Sequence, residues 1–278
     1  MKIVIIPNEK KDIELRVTRA VIEELLSHGA TVCLDNALHI ESEKVSFYDC
    51  FPADAEMIVV IGGDGTILHA ADYAVQHDIP LIGINLGRLG YMSELAPTQI
   101  SLLSELFGGS YTVEEKMLLS ISIGGTGASE RLAVNEVVFS HSNPVELTYL
   151  TLEDRYGTTL KYRADGLIFS TPVGSTAYSL SAGGPIVLQD HPSIIVTPIC
   201  PHSFFDRSIV FSDKECLTVS CGSSASLNIT VDGRPFGVLN VGTVCRVKRS
   251  AKNLKMITFR KEKRTSALFS KMRSLDEI

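Results

Sequence analysis

The stretch MIVVIGGDGTILHAADYAVQ, residues 57–76, changes character at its middle. Residues 57–61 form an unbroken apolar run, the pattern of a strand buried on both faces of a parallel sheet. Residues 66–76 read as a helix, and between the two lies Gly62-Gly63-Asp64-Gly65-Thr66. Glycines lack Cβ atoms, so this turn is expected to take positive φ and to let phosphate or ribose reach the main chain. The helix start beyond it offers free N–H groups. Asp64 is then presented at the carboxyl edge of the sheet, where open α/β folds bind ligands.

The same alternation extends in both directions. Residues 2–7 (KIVIIP) predict a buried strand. Ile13, Val17, Ala20, Val21 and Leu25 then recur at helical spacing and Gly29 supplies a stop. Strands follow at residues 31–34 and, past the glycine turn, at 80–85. A helical pattern covers residues 97–107, after which short alternating and β-branched runs continue to about residue 250. Within them Leu227, Ile229 and Val231 lead into Asp232-Gly233 and a second strand, a hairpin pattern. Helical spacing returns through Leu268, Met272 and Leu275. The expected fold is an α/β N-terminal domain with a Rossmann-like parallel sheet, residues 1–112 with 255–278, and a β-rich, sandwich-like domain over residues 113–254. The C-terminal tail is expected to pack back on the first domain.

Composition narrows the chemistry. The chain has 278 residues, 45% of them hydrophobic, enough for two packed cores, and no apolar run long enough to span a bilayer. The N-terminus shows no basic n-region, long h-region or cleavage site, a cytoplasmic expectation. Six scattered cysteines make no close C-x-x-C pair and read as reduced, mostly buried thiols. The net charge of −6 argues against a polyanion-binding surface, and the basic run Arg260, Lys261, Lys263 and Arg264 reads as a solvated face. A phosphorylated ligand must then be held by local devices: glycine-rich backbone, single arginines or a metal ion. Neither G-x-x-x-x-G-K-[ST] nor G-x-G-x-x-G occurs, so the phosphate site is of another kind.

Two further constellations stand out. Asn135-Glu136 sits in a strand-like run. An amide beside a carboxylate can read an adenine edge and a ribose diol together, although the dipeptide also suits a strand edge. Residues 163–186, RADGLIFSTPVGSTAYSLSAGGPI, combine a carboxylate, a Thr-Pro turn, hydroxyls, an aromatic and a Gly-Gly pair. A short helix over residues 174–181 would expose donors at Ser175 and Thr176 and let Tyr178 lie against a ribose or base. Structural serines and a packed tyrosine would serve a compact turn equally well.

GGDGT is shared by NAD kinases, by diacylglycerol and sphingosine kinases and, more loosely, by 6-phosphofructokinases. With Asn135-Glu136, the long hydroxyl-rich run and N-L-G-x-L-G-aromatic at residues 85–91, the chain closely resembles the NAD kinase family over most of its length. Echoes are TPICPHSFFDR at 197–207, the Asp232-Gly233 turn and FSKMR at 269–273. Tyr91 stands where phenylalanine is usual, Val173 where threonine is common and Ser208 where proline often follows. The resemblance implies phosphorylation of the adenosine-ribose 2′-hydroxyl of NAD by ATP with Mg²⁺ or another divalent cation, in a homotetramer. It makes Asp64 the base, with Gly65 and Tyr91 near the nucleotide. It has Asn135 and Glu136 hold NAD, Asp165 reach a neighbouring subunit's nucleotide, and Ser175, Thr176, Ala177, Tyr178 and Ser181 line the adenosine pocket. No residue is assigned as a metal ligand, and Arg163 is the candidate phosphate contact. His202 and Arg234 read more readily as solvated or structural. Two rival readings remain: a lipid kinase sharing GGDGT, which would need an apolar acyl-chain cavity, and a non-catalytic dinucleotide sensor.

Overall fold

KIVIIP forms β1 (Lys2–Pro7) in a computed structural model that describes residues 1–38, 40, 43–87, 90–124, 130–141, 148–202, 206–222 and 226–259. A 3-10 turn at Ile13–Leu15 leads into α1 (Arg16–Ser27), followed by β2 (Thr31–Asp35), β3 (Ser46–Tyr48), β4 (Met57–Gly62), α2 (Asp64–His77) and β5 (Leu81–Asn85). The five strands are parallel and ordered β3-β2-β1-β4-β5. The order reverses between β1 and β4, so the loops leaving their carboxyl ends flank the place where such sheets take ligands. Every residue of β4 is buried, as a strand covered on both faces must be.

The α1 face differs from the expected one. Glu14 and Leu15 adopt left-handed conformations, φ 56° and 52°, which offset the helix start; Ile13 is 70% exposed and Ala20 faces out. The inward face is Thr18, Val21, Ile22 and Leu25. Asp12, almost fully buried, accepts the N–H groups of Val17 (2.9 Å) and Thr18 (2.8 Å) and the Thr18 hydroxyl (2.6 Å), ending three donors that the helix cannot satisfy itself. Residues 97–107 are a 3-10 helix (Pro97–Ser104) running into α3 (Glu105–Gly108), and β3 had no sequence signal.

The chain divides into two compact units, Met1–Glu115 with the returning segment from Leu254, and Lys116–Asn253. The boundaries fall inside β6 (Thr112–Ile123) and a long final strand. Between them run β7 (Glu130–Ala133), β8 (Glu136–His141), β9 (Thr148–Glu153), β10 (Thr159–Ala164), β11 (Gly166–Ser170), the short α4 (Tyr178–Ser181), β12 (Ser193–Ile199), β13 (Ile209–Ser212), β14 (Cys216–Cys221), β15 (Leu227–Val231) and β16 (Arg234–Leu239). The final strand is β17 (Val244–Thr258). In the second unit one sheet is ordered β10-β9-β14-β17, with β6 beside β17 and β7 beside β6. The other is ordered β13-β12-β11-β8-β15-β16 and is antiparallel throughout. Both contribute inward residues to one core, among them Phe139 and Phe169 edge to face at 5.5 Å and the buried Tyr162, which makes this unit a sandwich.

In the first unit Met256 of β17 pairs with Leu81 of β5, and Thr258 and the Phe259 N–H both bond the Glu94 carboxylate. The expected tail helix at 265–275, the basic run at 260–264 and FSKMR lie outside the described residues. Cys33 and Cys245 are buried, but Cys50 and Cys200 are exposed, so the cysteines are less uniformly buried than composition suggests. Among the described residues no helix is long and apolar enough to cross a membrane.

Asp12→Ala should destabilise the fold by about 1–3 kcal/mol, the cost of leaving charge-assisted buried donors unmet. Amide exchange would then accelerate at Val17 and Thr18; unchanged exchange there would mean the carboxylate holds nothing.

Candidate active site

Asp64 stands in the first turn of α2, two residues earlier than the sequence pattern placed the helix start. Gly63 caps the helix with an extended backbone (φ −116°). The carboxylate of Asp64 accepts the N–H groups of Tyr91 (2.9 Å) and Met92 (3.3 Å), so a segment 27 residues on fixes its direction. None of Gly62, Gly63 and Gly65 has positive φ, contrary to the expectation for this turn. What the turn uses is missing volume. A Cβ on Gly62 would meet Thr66 Oγ1 at 2.4 Å, one on Gly63 would meet only Lys11 Nζ, at 3.0 Å, and Gly65 faces open space. Tyr91 serves Asp64 through its backbone, while Gly65 is exposed and accessible. Arg88 and Leu89 of the same motif are outside the described residues.

In the second unit Asn135 is not within a strand. Val134 and Asn135 form the bend by which the chain leaves β7 in one sheet and enters β8 in the other. At such a crossing the ladder cannot take every donor, and a remote carboxylate does so. Asp232 accepts the N–H groups of Val134 (2.8 Å), Asn135 (2.8 Å) and Glu136 (3.0 Å), while its own N–H donates to the Glu136 carbonyl. Asp232 itself takes a left-handed conformation at the tip of the β15–β16 hairpin. Thr171 completes the clasp: its hydroxyl donates to the Val134 carbonyl (2.7 Å) and its N–H to that of Asn135 (2.9 Å). Gly174 lies so close that a Cβ would come within 2.0 Å of the Asn135 carbonyl. Sequence reading noted Asp232-Gly233 only as a turn; a carboxylate in a hairpin tip was the available signal.

Glu136 is 8% exposed, and its Oε2 has no hydrogen-bond partner. Burial, reinforced by the Asp232 charge and opposed by the Tyr178 N–H, pushes its carboxyl up to about 7. A buried acceptor lacking a partner suits a ligand hydroxyl. Tyr178 is 44% exposed beside it, a ring face open to a base or sugar.

The rest of the hydroxyl-rich run is more structural than expected. The anticipated helix over 174–181 is a 3-10 turn, Gly174–Thr176, broken at Ala177 before α4. Ser175 is buried, its hydroxyl within 2.7 Å of the Pro172 carbonyl and accepting the Val187 N–H (3.1 Å), so it braces the loop rather than offering a donor. Thr176 is half-buried and bonds the Val173 carbonyl, Ala177 is half-buried, and Ser181 is exposed at the end of α4. Asp165 bridges β10 to β11 at another sheet crossing, its N–H donating to the Ile199 carbonyl. Arg163 is exposed with its guanidinium over the Tyr149 ring, 5.9 Å from the centroid. His202 donates its backbone N–H to the Arg163 carbonyl (2.7 Å), and Arg234 begins β16. Among the described residues no three His, Cys, Asp or Glu side chains gather as a metal-ligand set.

Folded Glu136 holds its proton to higher pH than an unfolded glutamate, whose ordinary value is 4.5. Its contribution to stability is therefore most favourable below pH 4.5 and is lost as pH rises toward 7, by on the order of 3 kcal/mol. The stability difference between Glu136→Gln and the parent chain should accordingly shift in the variant's favour from pH 5 to pH 8 in denaturant titrations; a constant difference would contradict the buried-carboxyl account. Asp232→Ala leaves three loop N–H groups without their acceptor and should cost about 2–4 kcal/mol by the same measurement at pH 7.

Comparison with known proteins follows the same two halves. A family model described as the ATP-NAD kinase N-terminal domain matches residues 3–111, and one described as the ATP-NAD kinase C-terminal domain matches residues 134–259. The NAD kinase of Acetivibrio thermocellus is 37% identical over 265 residues, 92% of each chain. That of Natranaerobius thermophilus is 34% identical over 284 residues, 99% of this chain and 98% of its own. Among solved structures, an NAD kinase from Archaeoglobus fulgidus in complex with ATP superposes with TM-score 0.77 at 26% identity over 99% of both chains. Yeast NADH kinase complexed with NADH has the same fold, with TM-score 0.81 at 24% identity over 93% of this chain and 83% of its own. Matched across its α/β half and its sandwich half alike, with relatives more than a third identical over nearly its whole length, the chain belongs to the NAD kinase family.

Proposed function

We propose that this member of the NAD kinase family transfers the terminal phosphate of ATP to the 2′-hydroxyl of the adenosine ribose of NAD, with Asp64 as the group that orients that hydroxyl and takes its proton. The observation that carries the assignment is the fixed direction of the Asp64 carboxylate, clamped by two backbone N–H groups at the edge of a turn with no side-chain bulk. A clamped carboxylate needs no reorganisation to receive a hydroxyl. Phosphoryl transfer through a loose transition state demands little proton removal until late, so a carboxylate suffices as the acceptor.

The second unit is the NAD-reading half. Glu136 Oε2 accepts a ribose hydroxyl, the Asn135 amide reads an adenine edge, and Tyr178 covers the ring, with Thr176, Ala177 and Ser181 lining the same stretch. Ser175 and Thr171 act by bracing this loop. Arg163 and Asp165 remain the candidates for contacts to phosphate and to a neighbouring subunit's nucleotide in a homotetramer. The divalent cation is part of the donor, arriving on the phosphates of ATP, where it neutralises charge. The cytoplasm, where NAD and ATP are available, is the matching location. A lipid kinase would have no use for Asn135, Glu136 and an exposed Tyr178, and a sensor would have no use for a clamped Asp64.

Pure protein with NAD, ATP and Mg²⁺ should form NADP. Asp64→Asn should lower kcat by roughly 10² to 10⁴ with the KM for NAD nearly unchanged. Near-parent turnover in that variant would remove Asp64 from the reaction.

A further inference from the structure

Ser93 follows directly on Tyr91 and Met92, the two residues whose N–H groups hold the Asp64 carboxylate. It is 8% exposed, and its hydroxyl has no hydrogen-bond partner among the described residues. A buried hydroxyl left unmet destabilises a fold, and alanine in the same place would carry no such cost. The main chain does not need the side chain either. The Glu94 and Leu95 N–H groups both close on the Gly83 carbonyl (2.9 and 3.1 Å), which pins this segment to β5 through its backbone.

Gly90 shows where the hydroxyl can go. This glycine is buried and does not have positive φ, so no left-handed backbone calls for it. Space does. A Cβ on Gly90 would lie 2.7 Å from Ser93 Oγ and 3.1 Å from Asp64 Oδ1, so both oxygens border one gap that the missing side chain keeps open. The two carboxylate oxygens are held unequally. Oδ2 accepts the Tyr91 N–H at 2.9 Å, whereas Oδ1, the oxygen at the gap, accepts the Met92 N–H at 3.3 Å, just beyond the ordinary range. A donor without an acceptor and an acceptor with only a distant donor thus share an opening. Rotation about the Ser93 Cα–Cβ bond moves the hydroxyl within it and leaves the pinned backbone where it is.

We propose that Ser93 is a positioning residue for Asp64, its hydroxyl donating to Oδ1 across the gap over Gly90 when a sugar hydroxyl engages the carboxylate. Hydrogen bonds around a reacting group are commonly long or unmade in the ligand-free protein and tighten once the substrate is in place. With Ser93 engaged the carboxylate has three protein donors, which narrows the directions left for the incoming hydroxyl. The inference rests on the reading of Asp64 as the group that receives the ribose proton, and it adds a residue that acts on the reaction through Asp64 alone.

The test compares Ser93→Ala, which removes the hydroxyl, with Ser93→Thr, which keeps it, in the full chain. With both substrates saturating, Ser93→Ala should lower kcat about 10- to 100-fold, the loss of one hydrogen bond to a charged group. The KM values for NAD and for Mg·ATP should stay within twofold, and Ser93→Thr should recover most of the turnover. The melting temperature of ligand-free Ser93→Ala should equal or exceed the parent's, because the hydroxyl removed is one that the ligand-free fold leaves unmet. In an Asp64→Asn background Ser93→Ala should change kcat by less than twofold, since no carboxylate is left to position. Parent-like turnover in Ser93→Ala overturns the proposal. So does a fall in turnover that comes with a lower melting temperature, or one that recurs undiminished in the Asp64→Asn background. If the parent chain forms no NADP, the kinase reading fails and this inference with it; if the parent forms NADP and Ser93→Ala matches it, this inference fails alone.

Discussion

Carboxylates that accept main-chain N–H groups from distant segments hold this molecule's loops in place. Asp12 takes two from the start of α1, Asp64 two from residues 91 and 92, and Asp232 three in a row from residues 134–136. Each sits where a helix start or a connection between elements leaves N–H groups that neither helix nor ladder accepts. A buried N–H without an acceptor costs as much as a lost hydrogen bond, and a charged acceptor shared among several is the cheapest remedy. Loops fixed this way are held in place without being part of any strand, and they include the loops we propose carry the chemistry.

The second unit shows what such a device makes possible. Its chain passes repeatedly between the two sheets, and the crossings at Val134-Asn135 and at Asp165 carry polar residues at the sandwich's edge. Asp232 clasps the first crossing and thereby puts a second carboxylate close to Glu136. That proximity raises the cost of charging Glu136 beyond what burial alone imposes. The arrangement trades stability for an acceptor with no partner of its own, a pattern common where a ligand completes the hydrogen bonding.

In the first unit the glycine turn works by omission rather than by unusual backbone angles. Gly62 admits the Thr66 side chain, which in turn receives Asn8; Gly63 leaves room over its Cα; Gly65 leaves the helix start open. The residues around this space, Asn8, Lys11 and Asp64, follow the carboxyl ends of β1 and β4, the two strands at which the sheet reverses its order.

The sequence by itself determined the layers and the motifs. Continuous apolar runs at 3–7 and 57–61 read as strands buried in a parallel sheet, alternation at 227–231 ending in Asp-Gly reads as a hairpin, and GGDGT with the 163–186 run points to the family. These signals are local: they depend on periodicity and on residues adjacent in the chain. Only the tertiary structure decided which polar groups face a ligand and which face their own backbone. Ser175 looked like a donor and is a brace; Asp232 looked like a turn and is a clasp; Asn135 looked like a strand residue and lies at a sheet crossing. Such assignments turn on which carbonyl or N–H is left without a partner, and that depends on segments as far apart as residues 134 and 232, whose meeting no local pattern encodes.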